Sequence, residues 1–178
     1  KINLKWLFAF TFLFVGVAEA ETYTLPNGPL LPYNCSSSGQ TVTCSSLDLN
    51  WNDKIIIQGS SHVTLKINGD ANFNNSQVNV DGGTNKLTID VSKNFNLAYQ
   101  GSVIGTVKAE EASLGGQANI QGSLTIEEAI TAGSNVIIVG DINAEEIKVG
   151  SDSQLTGAIA VSKKAEFGSR NDINGNIS

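Results

Sequence analysis

The second half of the chain repeats itself, and this repeat limits the possible folds more than any other feature. A Gly-x-apolar step recurs every 17 or 18 residues, and a second glycine keeps the same spacing. Two landmarks with one period indicate a solenoid of similar coils, because each repeat needs its neighbours to cover its apolar face. The first series is Gly105, Gly122, Gly140, Gly157 and Gly175, and the second is Gly115, Gly133, Gly150 and Gly168.

Apolar and polar residues alternate between these glycines. In one repeat, Ile142 and Ala144, then Ile147 and Val149, and finally Leu155 mark three short stretches. Alternation over two to four residues predicts short strands with one buried face, and the glycines predict the corners that join them. The sequence therefore predicts an all-β, single-stranded, three-sided parallel β-helix with 17–18 residues per coil in its C-terminal half.

The first half of the chain is a looser version of the same pattern. Phe73 and Phe95 are separated by more than one period of the C-terminal repeat, which predicts longer coils rich in asparagine. Residues 21–52 do not fit the repeat, and we expect them to form an N-terminal cap, since the end of a solenoid exposes unpaired strand edges. We expect the β-helix to occupy residues 53–178 and to continue beyond Ser178, or to pair there with another molecule.

The first twenty residues have the pattern of an export signal. Lys1 and Lys5 precede an apolar run from Trp6 to Val17, and residues 18–20 read Ala-Glu-Ala. This order is typical of a secretory signal peptide with its cleavage site. The run is shorter than the roughly 20 residues that cross a bilayer, so we expect no transmembrane span in the mature chain. We therefore expect a protein that is secreted, held at the cell surface or kept in the periplasm.

Two cysteines lie close together in the predicted cap. Outside the cytosol cysteines are oxidised, so we expect a disulfide between Cys35 and Cys44, across a short hairpin. Closing a loop of about ten residues stabilises the fold by roughly 2.7 kcal/mol in the chain-entropy model. The alternative is two reactive thiols, but no histidine or cation nearby would activate them.

Paired glutamates recur at one position of the repeat, 17 and 18 residues apart. One hypothesis is a calcium stripe, because hard cations bind several carboxylate oxygens. We favour a solvent-exposed corner, because like charges about 4.8 Å apart in water repel by only about 0.9 kcal/mol. The pairs are Glu110 and Glu111, Glu127 and Glu128, and Glu145 and Glu146, and the next repeat carries Lys163 and Lys164.

The composition contains few of the residues that nucleic-acid binding, zinc binding or catalysis require. The net charge is -6 with a single arginine, which excludes a clustered basic surface for nucleic acid. One histidine and two cysteines are too few for a usual zinc site. Ser61 and His62 are adjacent, and adjacent strand residues point to opposite faces, so they do not form a nucleophile and base. We predict no catalytic residues, no metal site and no cofactor.

Two resemblances follow from these motifs. The stretch from Gly140 to Gly150, within residues 101–178, resembles the repeat of the bactofilins, a family of bacterial polymer-forming cytoskeletal proteins. That resemblance implies a right-handed three-sided β-helix that assembles end to end. The front of the chain departs from this family, because bactofilins carry neither a cleaved signal peptide nor a pair of cysteines.

The layout of nearly the whole chain resembles the N-terminal region of MshQ-like surface proteins of MSHA pilus biogenesis. The matching features are the signal peptide, Tyr23 to Pro26 after it, the cysteine pair and the passage from Asn-rich to Gly-x-Ile coils. This resemblance implies a surface protein tied to a type IV pilus, with pilus or cell-surface components as partners, and it brings no catalytic residues.

We therefore predict a non-catalytic stalk or spacer in a secreted bacterial adhesin or pilus-linked protein. Its partners would be further coils or domains of the same protein, C-terminal to Ser178. The alternative is a self-assembling filament subunit of the bactofilin type, with end-to-end contacts between copies. A carbohydrate-binding or carbohydrate-cleaving β-helix is a third and less favoured hypothesis.

Overall fold

The chain folds as a parallel β-helix, seen in a computed structural model that describes residues 20–27 and 34–178. Residues 1–19 of the predicted signal peptide lie outside the described residues. The strands are β1 (Thr22–Leu25), β2 (Cys35–Ser38), β3 (Thr41–Cys44), β4 (Leu47–Leu49), β5 (Lys54–Ile57), β6 (Val63–Ile67), β7 (Ala71–Phe73), β8 (Gln77–Val78), β9 (Leu87–Val91), β10 (Asn94–Leu97), β11 (Ser102–Ile104), β12 (Thr106–Ala109), β13 (Glu111–Leu114), β14 (Asn119–Gln121), β15 (Leu124–Ile126), β16 (Ala129–Ala132), β17 (Ile137–Val139), β18 (Ile142–Val149), β19 (Gln154–Thr156), β20 (Ile159–Phe167) and β21 (Asp172–Asn174). A 3-10 turn, Thr84–Lys86, precedes β9.

Each coil has three sides, as the alternation predicts. The first side stacks β3, β6, β9, β12 and β15, the second side stacks β4, β7, β10, β13 and β16, and the third side stacks β5, β8, β11, β14, β17, β19 and β21. The long strands β18 and β20 bend around the corner from the first side to the second, with a register shift between Ala144 and Glu146. The described residues complete seven coils, and all coil-to-coil pairing is parallel.

Coil length changes along the chain. On the first side, Thr41 pairs with Thr64 and Thr64 with Thr88, so the first two coils are longer than the C-terminal repeat. Thr88 then pairs with Thr106, and from there each coil keeps the length of the C-terminal repeat. We call coils 1 and 2 the long coils and coils 3 to 7 the short coils. Strands β3 and β4 already belong to coil 1, so strand pairing runs through the predicted cap boundary at residue 52.

The interior is filled by columns of apolar side chains, one residue from each coil. One column on the second side runs Leu49, Phe73, Leu97, Leu114, Ala132, Val149 and Phe167. Phe73 contacts Phe95 of the next coil edge to face, with ring centroids 5.5 Å apart. Stacking in register covers every apolar face except those at the two ends, which explains why a chain with few aromatic residues still has a continuous core.

The predicted corner glycines serve two different purposes. The Gly105 series lies between the third side and the next coil, where Gly122 has φ +137°. A Cβ on Gly122 would lie only 2.1 Å from the Gly105 carbonyl oxygen, so both backbone angle and space require glycine. The Gly115 series lies after the second side, where Gly133 needs no positive φ. Here a Cβ would lie 2.8 Å from the Gly116 nitrogen, so only the close approach of two coils requires glycine.

Candidate functional site

The N-terminal end of the β-helix is covered. β1 pairs with β5 on the third side, and β2 folds back antiparallel on β3 on the first side. The predicted disulfide is present and joins Cys35 to Cys44 directly across this hairpin. Core residues of coil 1 are accordingly buried, and Val42, Leu47 and Leu49 are each no more than 1% exposed. An antiparallel strand with a polar outer face ends the parallel stack on the first side, while the far edges of β1 and β4 pair with no other described strand.

The other end of the described solenoid is open. Gly175 to Ser178 start an eighth coil, with an isolated bridge between Ile177 and Ile159. Beyond that bridge, the far edges of β20 and β21 pair with no other strand in the described residues. Phe167 and Ile173 end two interior columns and are only partly buried, and Ile177 is 50% exposed. We call this surface the open edge. It combines unpaired backbone groups with exposed core residues.

The repeated glutamates stack at the corner between the first and second sides. Backbone bonds place Glu128 over Glu110 and Glu145 over Glu128, at N···O distances of 2.9 and 3.0 Å. The six side chains are therefore neighbours along one corner, as the spacing predicts. No group of three or more His, Cys, Asp or Glu side chains in the described ranges converges as a metal site would require.

Lysines of coil 7 neutralise the end of this glutamate corner. Lys163 pairs with Glu145, and this carboxylate raises the pKa of Lys163 through its hydrogen bond. Lys164 stands in register with Glu146 but makes its ion pair with Glu166, at 2.6 Å. All of these groups are solvent exposed, where ion pairs contribute little to stability. The corner is a solvated charge ladder.

A second corner ladder was not anticipated from the sequence. Between the second and third sides, one residue of every coil except coil 2 has φ near +60°. The backbone N–H of this residue donates to a carbonyl group in the next coil, namely that of the residue just before the next left-handed residue. Gln100, for example, donates to Gly116, which precedes Gln117, at 3.1 Å. The period of the short coils also applies to these residues, but side chains such as glutamine and arginine give no signal for positive φ. The left-handed residues are Asn52, Gln100, Gln117, Asn135, Asp152 and Arg170.

An amide ladder on the second side was also missed. Asn72 Nδ2 donates to Asp48 Oδ1 at 2.6 Å, and Asn96 Nδ2 donates to Asn72 Oδ1 at 2.8 Å. These residues are separated by the length of a long coil. A search for the period of the short coils therefore does not detect them. At the neighbouring corner Asn94 Nδ2 donates to Asp70 Oδ1 at 2.9 Å, and this bond lowers the pKa of Asp70.

The histidine considered as a base contacts a backbone carbonyl group. His62 is exposed, and its Nδ1 is 2.7 Å from the Asn85 carbonyl oxygen. This bond holds the loop before β9 against the loop before β6.

Within the described residues, no helix has the length and apolar character needed to cross a bilayer.

Comparison with known proteins gives one match. The sequence model of the family described as "Bactofilin: Polymer-forming cytoskeletal" matches residues 61–160, which is more than half of the chain. The matched range begins just before β6 and ends in β20, so it covers the coils from the second to the sixth. Searches of curated proteins and of solved structures returned no match. The resemblance to MshQ-like pilus proteins receives no support from these comparisons.

Proposed function

The chain belongs to the bactofilin family of polymer-forming cytoskeletal proteins, and from that premise we propose that it is a non-catalytic subunit that polymerises through its β-helix. The resemblance of the C-terminal coils to bactofilins predicts this function, which the sequence analysis gave as the alternative to a stalk. The family match favours it over the stalk, which rests on the pilus resemblance alone.

The family match carries this proposal, and the open edge is one surface on which a second copy can stack. Val149 pairs with Phe167 and Leu155 with Ile173, so these two columns reach the edge with their last residue half covered. A further coil of another copy, stacked about 4.8 Å above, would cover both side chains and pair the free backbone groups. We place one contact between the open edges of two copies. Because such a contact by itself closes as a dimer, longer polymers need a second contact at the N-terminal ends, where the far edges of β1 and β4 pair with no other described strand.

We further propose that this subunit is exported. The pattern of residues 1–20 supports export, and so does the stapled cap, since disulfides persist mainly in oxidising compartments. An exported chain that stayed monomeric would instead serve as the rigid stalk or spacer of a surface protein, linked to adhesion or to a pilus of the MSHA type. The state of assembly therefore separates the two functions.

Sedimentation velocity and negative-stain electron microscopy of the full, disulfide-intact chain test the proposal. We expect rods that are longer than one molecule, and the fraction of protein in these rods should rise with protein concentration. Ile173→Asp, at the open edge, should shorten the rods to at most two molecules, because it places a charge in that contact and leaves only the contact at the N-terminal ends. Ile137→Asp is the matched control, since Ile137 lies on the same side of the β-helix but faces solvent and is 37% exposed.

Rods of one molecule's length at every concentration would contradict polymerisation and favour the stalk. Equal loss of assembly in both aspartate variants would show that the contact does not use the open edge. Circular dichroism of each variant checks that the β-helix itself is retained.

A further inference from the structure

The outer face of the second side differs from the other outer faces in its side chains. From coil 2 to coil 5 one column of outward residues is short, polar and uncharged. Register pairing stacks Asn72, Asn96, Ser113 and Thr131 in that order. Within the column, charge appears only at its ends, with Asp48 before it and Lys148 after it, and Glu111 stands beside it on the glutamate corner. These four coils span roughly 19 Å along the axis, at about 4.8 Å per coil.

This column forms the floor of a groove. One shallow recess is lined by Asn72, Asn96 and Ser113 among others. A second shallow recess also touches Asn96 and Ser113 and extends to Thr131. Because the two share floor residues, they form one trough parallel to the β-helix axis, which we call the second-side groove. The floor side chains are short, so they leave open space above this face of the sheet.

Two exposed aromatic side chains stand at the corner between the second and third sides, which forms one rim of the second-side groove. Trp51 is 59% exposed and Tyr99 is 48% exposed. Each directly precedes a left-handed corner residue, Asn52 and Gln100, so both occupy the same corner position. The corresponding residue of the coil between them is Asn75, whose carbonyl accepts the Asn52 N–H at 3.1 Å. The two aromatics are therefore two coils apart, about 10 Å along the axis.

The rim aromatic in coil 3 rests on a glycine. A Cβ on Gly116 would lie 3.6 and 3.8 Å from Cδ2 and Cε2 of Tyr99, so the ring lies against the bare backbone of the next coil. One ring face is thereby supported and the ring stays exposed. The floor is ordered as well, because the bonds from Asn72 to Asp48 and from Asn96 to Asn72 fix the amide orientations.

These features select the chemistry of a ligand. Amides and hydroxyls on the floor match a ligand with many hydroxyl groups, and flat exposed rings match the apolar faces of sugar rings. The floor lacks the cations that a nucleic acid requires. An extended peptide binds by adding to a sheet edge, and the strands of this face are already paired on both edges by neighbouring coils.

We propose that the second-side groove binds an uncharged, linear β-1,4-linked glycan that lies parallel to the β-helix axis. Such a glycan is extended, and every second sugar presents the same face. The spacing of Trp51 and Tyr99 places a ring against each of two such sugars, at coils 1 and 3. Hydroxyls of the sugar between them reach Asn72 and Asn96, and the glycan continues past Tyr99 to Ser113 and Thr131. This binding does not involve the open edge and is independent of polymerisation.

Isothermal titration calorimetry of the full chain with chitohexaose and with cellohexaose tests the proposal. We expect saturable binding of at least one of these β-1,4 hexaoses and much weaker binding of maltohexaose, whose α-1,4 linkages curve the chain. Trp51→Ala and Tyr99→Ala should each lower the affinity about five- to tenfold, and Tyr99→Phe should retain it. Both aromatic residues are exposed, so these variants should keep the fold, which circular dichroism checks.

Two threonines of coil 5 provide a matched pair of variants. Thr131→Arg places a long side chain on the groove floor and should abolish binding. Thr125→Arg makes the same change on the first side of the same coil, where the residue is also exposed, and should leave affinity unchanged. The proposal is wrong if neither β-1,4 hexaose binds, if maltohexaose binds equally well, or if the two arginine variants behave alike. Unchanged sedimentation of Thr131→Arg would show that any loss of binding does not arise from lost assembly.

Discussion

The long coils and the short coils solve the same packing problem by different means. The long coils hold the interior with large side chains such as Phe73, Leu47 and Leu49, all of which are at most 1% exposed. Their outer ladders consist of hydrogen bonds from amide side chains that end on Asp48 and Asp70, and a disulfide closes their end. The short coils use smaller interior residues at a nearly constant period, and their outer ladders carry ion pairs. The extra residues of the long coils lie in the loops that lead from the third side to the next coil.

This difference shows why the two ends behave differently. The first long coil ends in an antiparallel strand held by a disulfide. Because the long coils do not share the length of the short coils, their outer edge does not have to match another coil. A coil repeated at nearly constant length presents at its last edge the same columns that the preceding coil presented to it. Regularity therefore makes the edge of coil 7 complementary to another coil.

Two phenylalanines at different points of one interior column give the largest expected contrast. Phe73 is fully buried in the long coils, and Phe167 is the half-buried last member of the same column. Phe73→Ala should lower the free energy of unfolding by about 3–5 kcal/mol, because it leaves a cavity inside the stack. Phe167→Ala should cost only about 1–2 kcal/mol in the monomer, since less apolar area is lost. Urea denaturation at a protein concentration where the chain is monomeric measures both values.

Equal costs for the two variants would contradict the contrast between a closed and an open end. Hydrogen exchange adds a local test, because coils of a solenoid are coupled mainly to their neighbours. Phe73→Ala should speed exchange in β4, β7 and β10 and leave β19 and β21 nearly unchanged.

Periodic features of the short coils could be predicted from sequence, and features of the long coils mostly could not. The glycine spacing and the alternation around Ile142 and Ile147 predict the three-sided β-helix, and the cysteine pair predicts the staple. The start of coil 1 at β3 was missed, because its longer step to β6 hides among loops that follow no period. The second-side groove was missed for the same reason, since Asn72 and Asn96 form one column only once the pairing register is known.

The disulfide gives the second prediction, of intermediate size, and it concerns only the closed end. Reduction by dithiothreitol should destabilise the cap by about 2.7 kcal/mol, because the unfolded hairpin gains freedom. Hydrogen exchange should rise in β2 and β3 and stay unchanged in β18 and β20. The double variant Cys35→Ala and Cys44→Ala is the control, because dithiothreitol should not affect it. An unchanged exchange rate in β2 on reduction would mean that strand pairing alone holds the cap.

The smallest expected effect compares one aspartate from each region. The pKa of Asp70 is lowered chiefly by the side-chain hydrogen bond from Asn94, a neutral amide. The pKa of Asp152 is lowered chiefly by its hydrogen bond with Arg170, which donates from Nε at 2.6 Å and carries a charge. A lowered folded pKa means that each interaction stabilises the fold above the ordinary value of 3.8 and is lost as pH falls below it.

Salt should separate these two aspartates. In about 1 M salt the screening length is roughly 3 Å, so the exposed Asp152 and Arg170 pair weakens and the pKa of Asp152 rises toward 3.8. The hydrogen bond from the Asn94 amide to Asp70 comes from a neutral group, so salt should weaken it less. The pKa of Asp70 should therefore move less than that of Asp152. Carboxyl NMR titrations at low and high salt measure both values. Arg170→Gln should raise the pKa of Asp152 at low salt and remove most of its salt dependence. If both carboxyls respond to salt equally, the amide ladder of the long coils and the ionic ladder of the short coils do not differ in kind.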